Sequence, residues 1–199
     1  MRIAVLGWGS LVWDPAALRI VAPFVPKGPM LPIEFSRISR HKRLTLVIDE
    51  RNGRRCRSYV AQSALATLDD ALRDLWLREA RPAKPPPEPI RENTTVTWID
   101  IDRGELAARA RERPRVCKAI ADWAREAEWD AVVWTALGPK FRDAGQGDYS
   151  VDAAIKYLAG LTGTAADEAF QYIRKAPTEV QTPVREAFDR RWPQLAGAG

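Results

Sequence analysis

A mixed α+β fold is predicted by three features of the chain. Strand-like apolar runs crowd the N-terminal half, helical patterning fills the last third, and the segments follow the order β, β-hairpin, α, β, α, β and then helices. That order shows neither regular βαβ alternation nor an internal repeat, which argues against a doubly wound parallel sheet. The length of 199 residues suits one domain, 1–199, with about 160–199 as a helical extension. An apolar share of 46% excludes a wholly disordered chain, and 15 Pro with 12 Gly imply several irregular connections.

The first element is Arg2 to Leu6, a short apolar β run that ends at Gly7-Trp8-Gly9-Ser10. Pro32 to Ile38 reads as extended. Arg43–Asp49 and Arg55–Val60 then read as a hairpin joined at Arg51-Asn52-Gly53-Arg54, because Asn-Gly supplies the positive φ that tight hairpin turns require. A helix is predicted from about Leu68 to Arg81, with Thr67 as N-cap and Asp69 and Asp70 in the first turn, where the helix dipole favours negative charge. Pro82 to Pro89 cannot continue it and should run extended over the surface. Glu92 to Ile101 is β-rich, helical patterning spans Glu105 to Glu128 with an interruption at Pro114, and Ala131 to Thr135 is another strand. Three helices follow: Asp152 to Leu161, one capped by Thr164 with Asp167 three residues on, and one opened by Thr182-Pro183.

Charge and composition narrow the function classes. The net charge of +5 is modest and mixed in sign. The one locally basic stretch, Arg37, Arg40, Lys42, Arg43, Arg51, Arg54, Arg55 and Arg57, reads first as the solvated side of the hairpin and only second as a nucleic-acid surface. No apolar run approaches the roughly 20 residues needed to span a bilayer, so no membrane partner is expected. The opening residues do not read as a signal peptide, and a reducing cytoplasm is the expected compartment. Two cysteines, Cys56 and Cys117, and the single His41 make neither a disulfide framework nor a zinc site, so no metal is expected.

Two places invite chemistry. Gly7-x-Gly9 follows a strand, but a dinucleotide fingerprint needs a third glycine where Val12 stands. What remains is a glycine-flanked turn whose N–H groups and Ser10 hydroxyl could meet a carboxylate or carbonyl oxygen, or that simply lets the strand exit tightly. On the predicted helix, Leu68, Leu72, Leu75 and Glu79 share one face, which puts a carboxylate at the end of an apolar stripe beside Trp76. Partial desolvation there would raise its pKa toward the range of a general base; the blander reading pairs Glu79 with Arg78 or Arg81 in water. Dyads of Cys56 or Cys117 with His41, and of Ser10 with His41, lack a supporting motif.

Val5-Leu6-Gly7-Trp8-Gly9-Ser10-Leu11-Val12-Trp13-Asp14-Pro15 resembles the GYGSLIWNP opening of ChaC-like members of the gamma-glutamylcyclotransferase superfamily, and Leu75-Trp76-Leu77-Arg78-Glu79 resembles their LWRRE segment. Arg55-Cys56-Arg57 stands where such proteins often have Cys-Arg-Gly, and Gly147-Asp148-Tyr149 through Tyr157-Leu158 resembles a later glycine-then-YL region. Trp8 replaces the usual tyrosine, Ser58 the glycine after Cys-Arg, and Ala80 the methionine after the glutamate.

The resemblance implies a mixed β-barrel or half-barrel with packed helices. It also implies a cofactor-independent enzyme that cyclises a γ-glutamyl group, in glutathione or a γ-glutamyl peptide or amine, to 5-oxoproline. Glu79 would be the catalytic acid/base, Gly7, Trp8, Gly9, Ser10 and Leu11 would bind substrate, and Tyr157 would contribute a hydrogen bond. The alternatives are a binding module on the same fold that has lost turnover, and a basic nucleic-acid binder.

Overall fold

Strand β1 (Ile3–Gly7) is buried at all five positions, so its apolar side chains need cover on both faces and its backbone needs partners on both edges. Both are supplied in the computed structural model, which describes residues 1–80 and 85–195. The architecture is mixed α+β with two sheets, divided between two compact units. Neither unit is one stretch of chain: the first comprises Met1–Gly7, Asp14–Met30 and Arg57–Leu137, the second Trp8–Trp13, Leu31–Cys56 and the chain from Gly138 onward.

The first unit holds a five-stranded mixed sheet. In it β1 lies between β5 (Tyr59–Gln62), to which it is antiparallel, and β8 (Ala131–Thr135), to which it is parallel. Beyond β8 come β6 (Val96–Asp100) and the short β7 (Glu105–Leu106), both joined antiparallel. Helix α2 (Leu68–Ala80) packs on β8 and β6. It starts where the sequence predicts, the Thr67 hydroxyl accepting from the Asp70 N–H at 3.2 Å. Asp74, buried on α2, accepts from the Arg19 N–H at 2.7 Å and from Arg19 Nε at 3.0 Å, fastening the segment after Asp14 to the helix.

Helices α3 (Ala108–Arg111) and α4 (Pro114–Glu126) contact the same two strands, α3 on β6 and α4 on β8. Alternation along β6 separates the two helical layers. Trp98 lies under the Arg91 guanidinium at 4.9 Å, and Arg91 pairs with Asp69 at the start of α2. Thr97, one residue earlier, therefore faces the opposite way, with Trp134 as its cross-strand partner. The expected helix over 105–128 is thus β7, a single turn and α4. The expected interruption at Pro114 is present, α3 ending at Arg111 and Pro114 opening α4 as its first residue, where the ring forfeits only an N–H that has no partner in the helix.

The second unit holds a three-stranded sheet in the order β3 (Leu44–Ile48), β2 (Met30–Ile38), β4 (Arg54–Arg57). This corrects the predicted hairpin. β3 and β4 do not pair; each flanks β2, and the true hairpin joins β2 to β3 through residues 39–43, with Lys42 at a φ of 59°. The returning strand is divided at Ser58, β4 serving this sheet and β5 the other. Nor does Asn52-Gly53 take positive φ. Asp49 holds the turn instead, its Oδ1 accepting from the Arg51 and Asn52 N–H groups at 3.0 Å each. Gly53 is required by proximity: a Cβ there would lie 2.5 Å from the Asp49 carbonyl oxygen and 2.6 Å from the Pro32 carbonyl carbon.

Three longer helices complete this unit. They are α5 (Val151–Ala159), capped by Ser150, α6 (Gly163–Arg174), and α7 (Pro183–Arg191), where the Thr182 hydroxyl accepts from the Arg185 N–H as the Thr-Pro signature predicts. The cap of α6 falls at Thr162, not Thr164, and no side-chain bond closes it. α6 packs on β3, and Phe170, Phe188 and Trp192 form an aromatic cluster between α6 and the end of α7. Among the described residues no helix is long and apolar enough to cross a membrane.

Because the atoms facing Gly53 are backbone on both sides, Gly53→Ala cannot be relieved by a rotamer change. We expect it to lower the unfolding free energy by about 1–3 kcal/mol, read from urea denaturation; an unchanged midpoint would refute the close approach.

Candidate functional site

Glu79 is the next-to-last residue of α2 and ends its apolar stripe. Leu72 and Leu75 are fully buried and Leu68 nearly so. The carboxyl follows them inward, its side chain only 13% exposed. Its Oε1 pairs with Arg78 Nη1 at 2.8 Å, and that guanidinium is itself 7% exposed. The other end of Arg78, Nη2, donates to the Asp14 carbonyl at 2.7 Å. Glu79 is therefore paired with its neighbour, as one sequence reading has it, but in a largely dehydrated setting rather than in water. Arg81, the other expected partner, lies outside the described residues, as do Pro82, Ala83 and Lys84 of the proline-rich connection. Dehydrating both charges offsets much of their attraction, but losing either partner would leave the other buried and unpaired, so the pair fixes the direction of both side chains.

The glycine-flanked segment is divided between β1 and the second unit. Gly7 ends β1, and the one-turn helix α1 (Ser10–Trp13) begins two residues after Trp8. Trp8 is buried and its indole Nε1 donates to the Leu46 carbonyl at 3.4 Å. Leu11 is also buried, while Ser10 is partly exposed at the head of the turn. Gly9 keeps its backbone close to a tyrosine: a Cβ there would stand 2.9 Å from the Tyr172 hydroxyl. Tyr172, on α6, meets Trp13 and Phe35 edge-on at 5.2 and 6.3 Å, with the Arg43 guanidinium 5.7 Å from its ring centre.

The tyrosine chosen from sequence has different company. Tyr157 donates its hydroxyl to the Lys42 carbonyl at 2.7 Å, its ring meets Phe141 edge-on at 6.3 Å, and burial pushes its pKa up. The polar group set against Gly9 is thus Tyr172, which sequence reasoning missed. Ala169, Tyr172 and Ile173 are buried at a helical spacing that would have placed Tyr172 inward, but nothing local points it at Gly9.

A second buried carboxyl also escaped the sequence reading. Glu34 sits in β2 among Leu31, Ile33 and Phe35 and is fully buried. Its Oε1 accepts from the Phe35 N–H at 2.7 Å, while Oε2 has no partner in hydrogen-bonding geometry. Burial raises its pKa, and the Thr182 hydroxyl, the Phe35 and Val184 N–H groups and the Tyr149 hydroxyl offset part of that rise. Tyr149 is in turn pushed up by burial and by the nearby Glu34 charge.

The remaining candidates are quiet. Cys56 donates to the Gln181 carbonyl at 3.4 Å and burial raises its thiol pKa; Cys117 donates to the Ala110 carbonyl at 2.8 Å. His41 is exposed. Members of the basic stretch are engaged separately: Arg37 with the Gly138 carbonyl, Arg54 with Glu186, Arg57 with the Gly28 carbonyl. Among the described residues no group of three or more His, Cys, Asp and Glu is placed to hold a metal ion. Comparison with protein-family models, curated proteins and solved structures finds no match for this chain.

The raised pKa of Glu34 has a definite sign. Below its unfolded pKa the acid is neutral in both states; as pH rises through the higher folded pKa, ionisation must occur in a buried site and stability is lost. Wild type should therefore lose stability relative to Glu34→Gln as pH climbs from about 4 toward neutrality, measured by chemical denaturation of both proteins at each pH. A gap that does not vary with pH would show that Glu34 titrates normally.

Proposed function

We propose that the chain is a gamma-glutamylcyclotransferase-type enzyme and that Glu79 is its acid/base. The observation that carries this reading is the carboxyl of Glu79, drawn out of water at the end of α2 and held by Arg78. A carboxylate that merely decorates a helix end stays solvated; one that must exchange a proton with an amine benefits from dehydration and a fixed direction. The fold that accompanies this activity is a barrel or half-barrel, and the proposal includes it.

The reaction is a cyclisation. The α-amine of a γ-glutamyl group attacks the γ-amide carbonyl carbon, a new C–N bond forms, and the carbonyl oxygen gathers negative charge. At neutral pH that amine is mostly an ammonium, so it must first lose a proton, which Glu79 accepts. The same proton passes to the departing amide nitrogen as its bond to carbon breaks; the new ring nitrogen sheds its second surplus proton, again through Glu79, and the products are 5-oxoproline and the amine in its ammonium form. Attack is intramolecular, so holding the substrate bent supplies much of the acceleration.

Backbone N–H groups of Gly7 to Leu11, with the Ser10 hydroxyl, are assigned to the substrate α-carboxylate or to the developing oxyanion, where one donor is worth about 3 kcal/mol. Trp8 is assigned to shaping that segment, since its indole is anchored on Leu46. Arg78 is a positioning residue, reaching Glu79 and the Asp14 carbonyl at once.

Glu79→Gln preserves shape and removes the proton acceptor. It should fold as wild type by circular dichroism and release 5-oxoproline about 100- to 10,000-fold more slowly across a panel of γ-glutamyl compounds including glutathione. Equal rates in the two proteins, or no release by wild type from any compound, would overturn the assignment.

A further inference from the structure

From Phe35 to Ile48, through the tip of the β2–β3 hairpin, the chain carries Arg37, Arg40, Lys42 and Arg43 and not one acidic residue. The fold brings two more cations to them from far along the sequence, within the same unit. Residues 138–140 run beside the end of β2, where the Ile38 N–H donates to the Lys140 carbonyl at 3.4 Å and the Lys140 N–H to the Ser36 carbonyl at 3.0 Å. At the tip, Tyr157 of α5 donates to the Lys42 carbonyl at 2.7 Å, which brings its chain neighbour Lys156 to the hairpin. Arg40, Lys42, Lys140 and Lys156 are exposed, and Arg37 and Arg43 are partly so.

Elsewhere the protein pairs many of its cations, Arg54 with Glu186, Arg73 with Glu88, Lys118 with Asp122 and Arg142 with Asp148 among them. Among the described residues none of these six stands in an ion pair: Asp143 acts on Arg37 without pairing with it, and Asp152, four residues before Lys156 on α5, does not reach that lysine. The tip is also fixed in shape. The Ser39 N–H donates to the Arg43 carbonyl at 2.9 Å and the Lys42 N–H to the Ser39 carbonyl at 3.0 Å, with Lys42 at a φ of 59°. That left-handed conformation suits Gly or Asn, so holding a lysine there costs backbone strain.

We propose that this surface binds duplex DNA through its phosphate backbone, without regard to base sequence. Six cations that lack anionic partners match a polymer whose phosphates recur about every 1.7 Å along its axis. A two-stranded ribbon fits the major groove of B-form DNA, whereas the deep, narrow groove of duplex RNA shuts it out. From Ser36 to Thr45 there is no Phe, Tyr or Trp on which the bases of a single strand would stack. The exposed large apolar residues, Met1, Val21, Val25 and Leu77, all belong to the other unit, so this surface has nothing to sink into a lipid layer. None of the six cations takes part in the chemistry assigned to Glu79, so the two proposals stand or fall separately.

The test follows the fluorescence anisotropy of a labelled mixed-sequence DNA duplex titrated with the full chain, at sodium chloride from about 50 to about 200 mM. Wild type should bind saturably, log K falling against log salt with a slope of about −3 to −5. Arg40→Gln, Lys42→Gly and Lys140→Gln should each weaken binding about 3- to 10-fold at fixed salt and flatten the slope by about 1. Far-UV circular dichroism should be unchanged in all three, glycine being at home at the φ of residue 42. Lys118→Gln, the same loss of charge in the other unit, should change neither affinity nor slope. No saturable binding at the lowest salt, tighter binding of duplex RNA, single-stranded DNA or phosphatidylserine vesicles than of duplex DNA, an equal loss in Lys118→Gln, or undiminished affinity in both Lys42→Gly and Lys140→Gln would overturn the proposal.

Discussion

The structure depends on one strand being satisfied from every side. β1 contributes five residues, all buried, and its two edges are taken by partners of opposite direction. A parallel neighbour demands a long crossover, and here the crossover from β1 to β8 carries most of the molecule, including the whole of the second sheet. Ile3, Val5 and Leu6 each gain about 1.5–3 kcal/mol from leaving water, and they gain it only when β5, β8 and the covering helices are in place. The exit of β1 at Gly7 then fixes where Trp8 begins, and α1 follows within one turn.

Buried acids in this protein are handled in three ways, and the contrast tells which of them is strained. Asp74 and Asp49 are ringed by donors and act as fasteners, one for the segment around Arg19, the other for the turn before β4. Glu79 shares its charge with a guanidinium that is as deeply set as itself. Glu34 has an N–H from the adjacent residue on one oxygen and no well-placed donor on the other. Burial raises the pKa of Glu34, and hydrogen bonds from Thr182, Phe35, Val184 and Tyr149 offset only part of that rise.

Elements with strong local signals were legible in the sequence. α2 and α7 carry Thr caps followed by acidic residues or proline, and both begin within a residue of where those signals put them. β1, β6 and β8 are short β-branched or aromatic runs that could be little else. What failed was pairing. Arg43–Asp49 and Arg55–Val60 look like two arms of a hairpin because nothing local reveals that Met30–Ile38 slots between them, or that Ser58 is where the strand changes sheets. The candidate site shows the same division. The stripe of Leu68, Leu72 and Leu75 marked Glu79 as inward-facing, yet the contact of Tyr172 with Gly9 joins residues more than 160 positions apart and leaves no periodic trace.

The parallel pairing of β1 with β8 has a kinetic consequence. The Arg2 N–H that begins the strand bonds Asp130, 128 positions away. During synthesis β1 leaves the ribosome well before β8 and waits many seconds for the neighbour that completes it, its apolar edge open meanwhile. Closing so long a loop also places the entropic barrier late and makes the sheet slow to nucleate. A sheet built this way cannot close until β8 has been made, whatever the order in which its other strands pair.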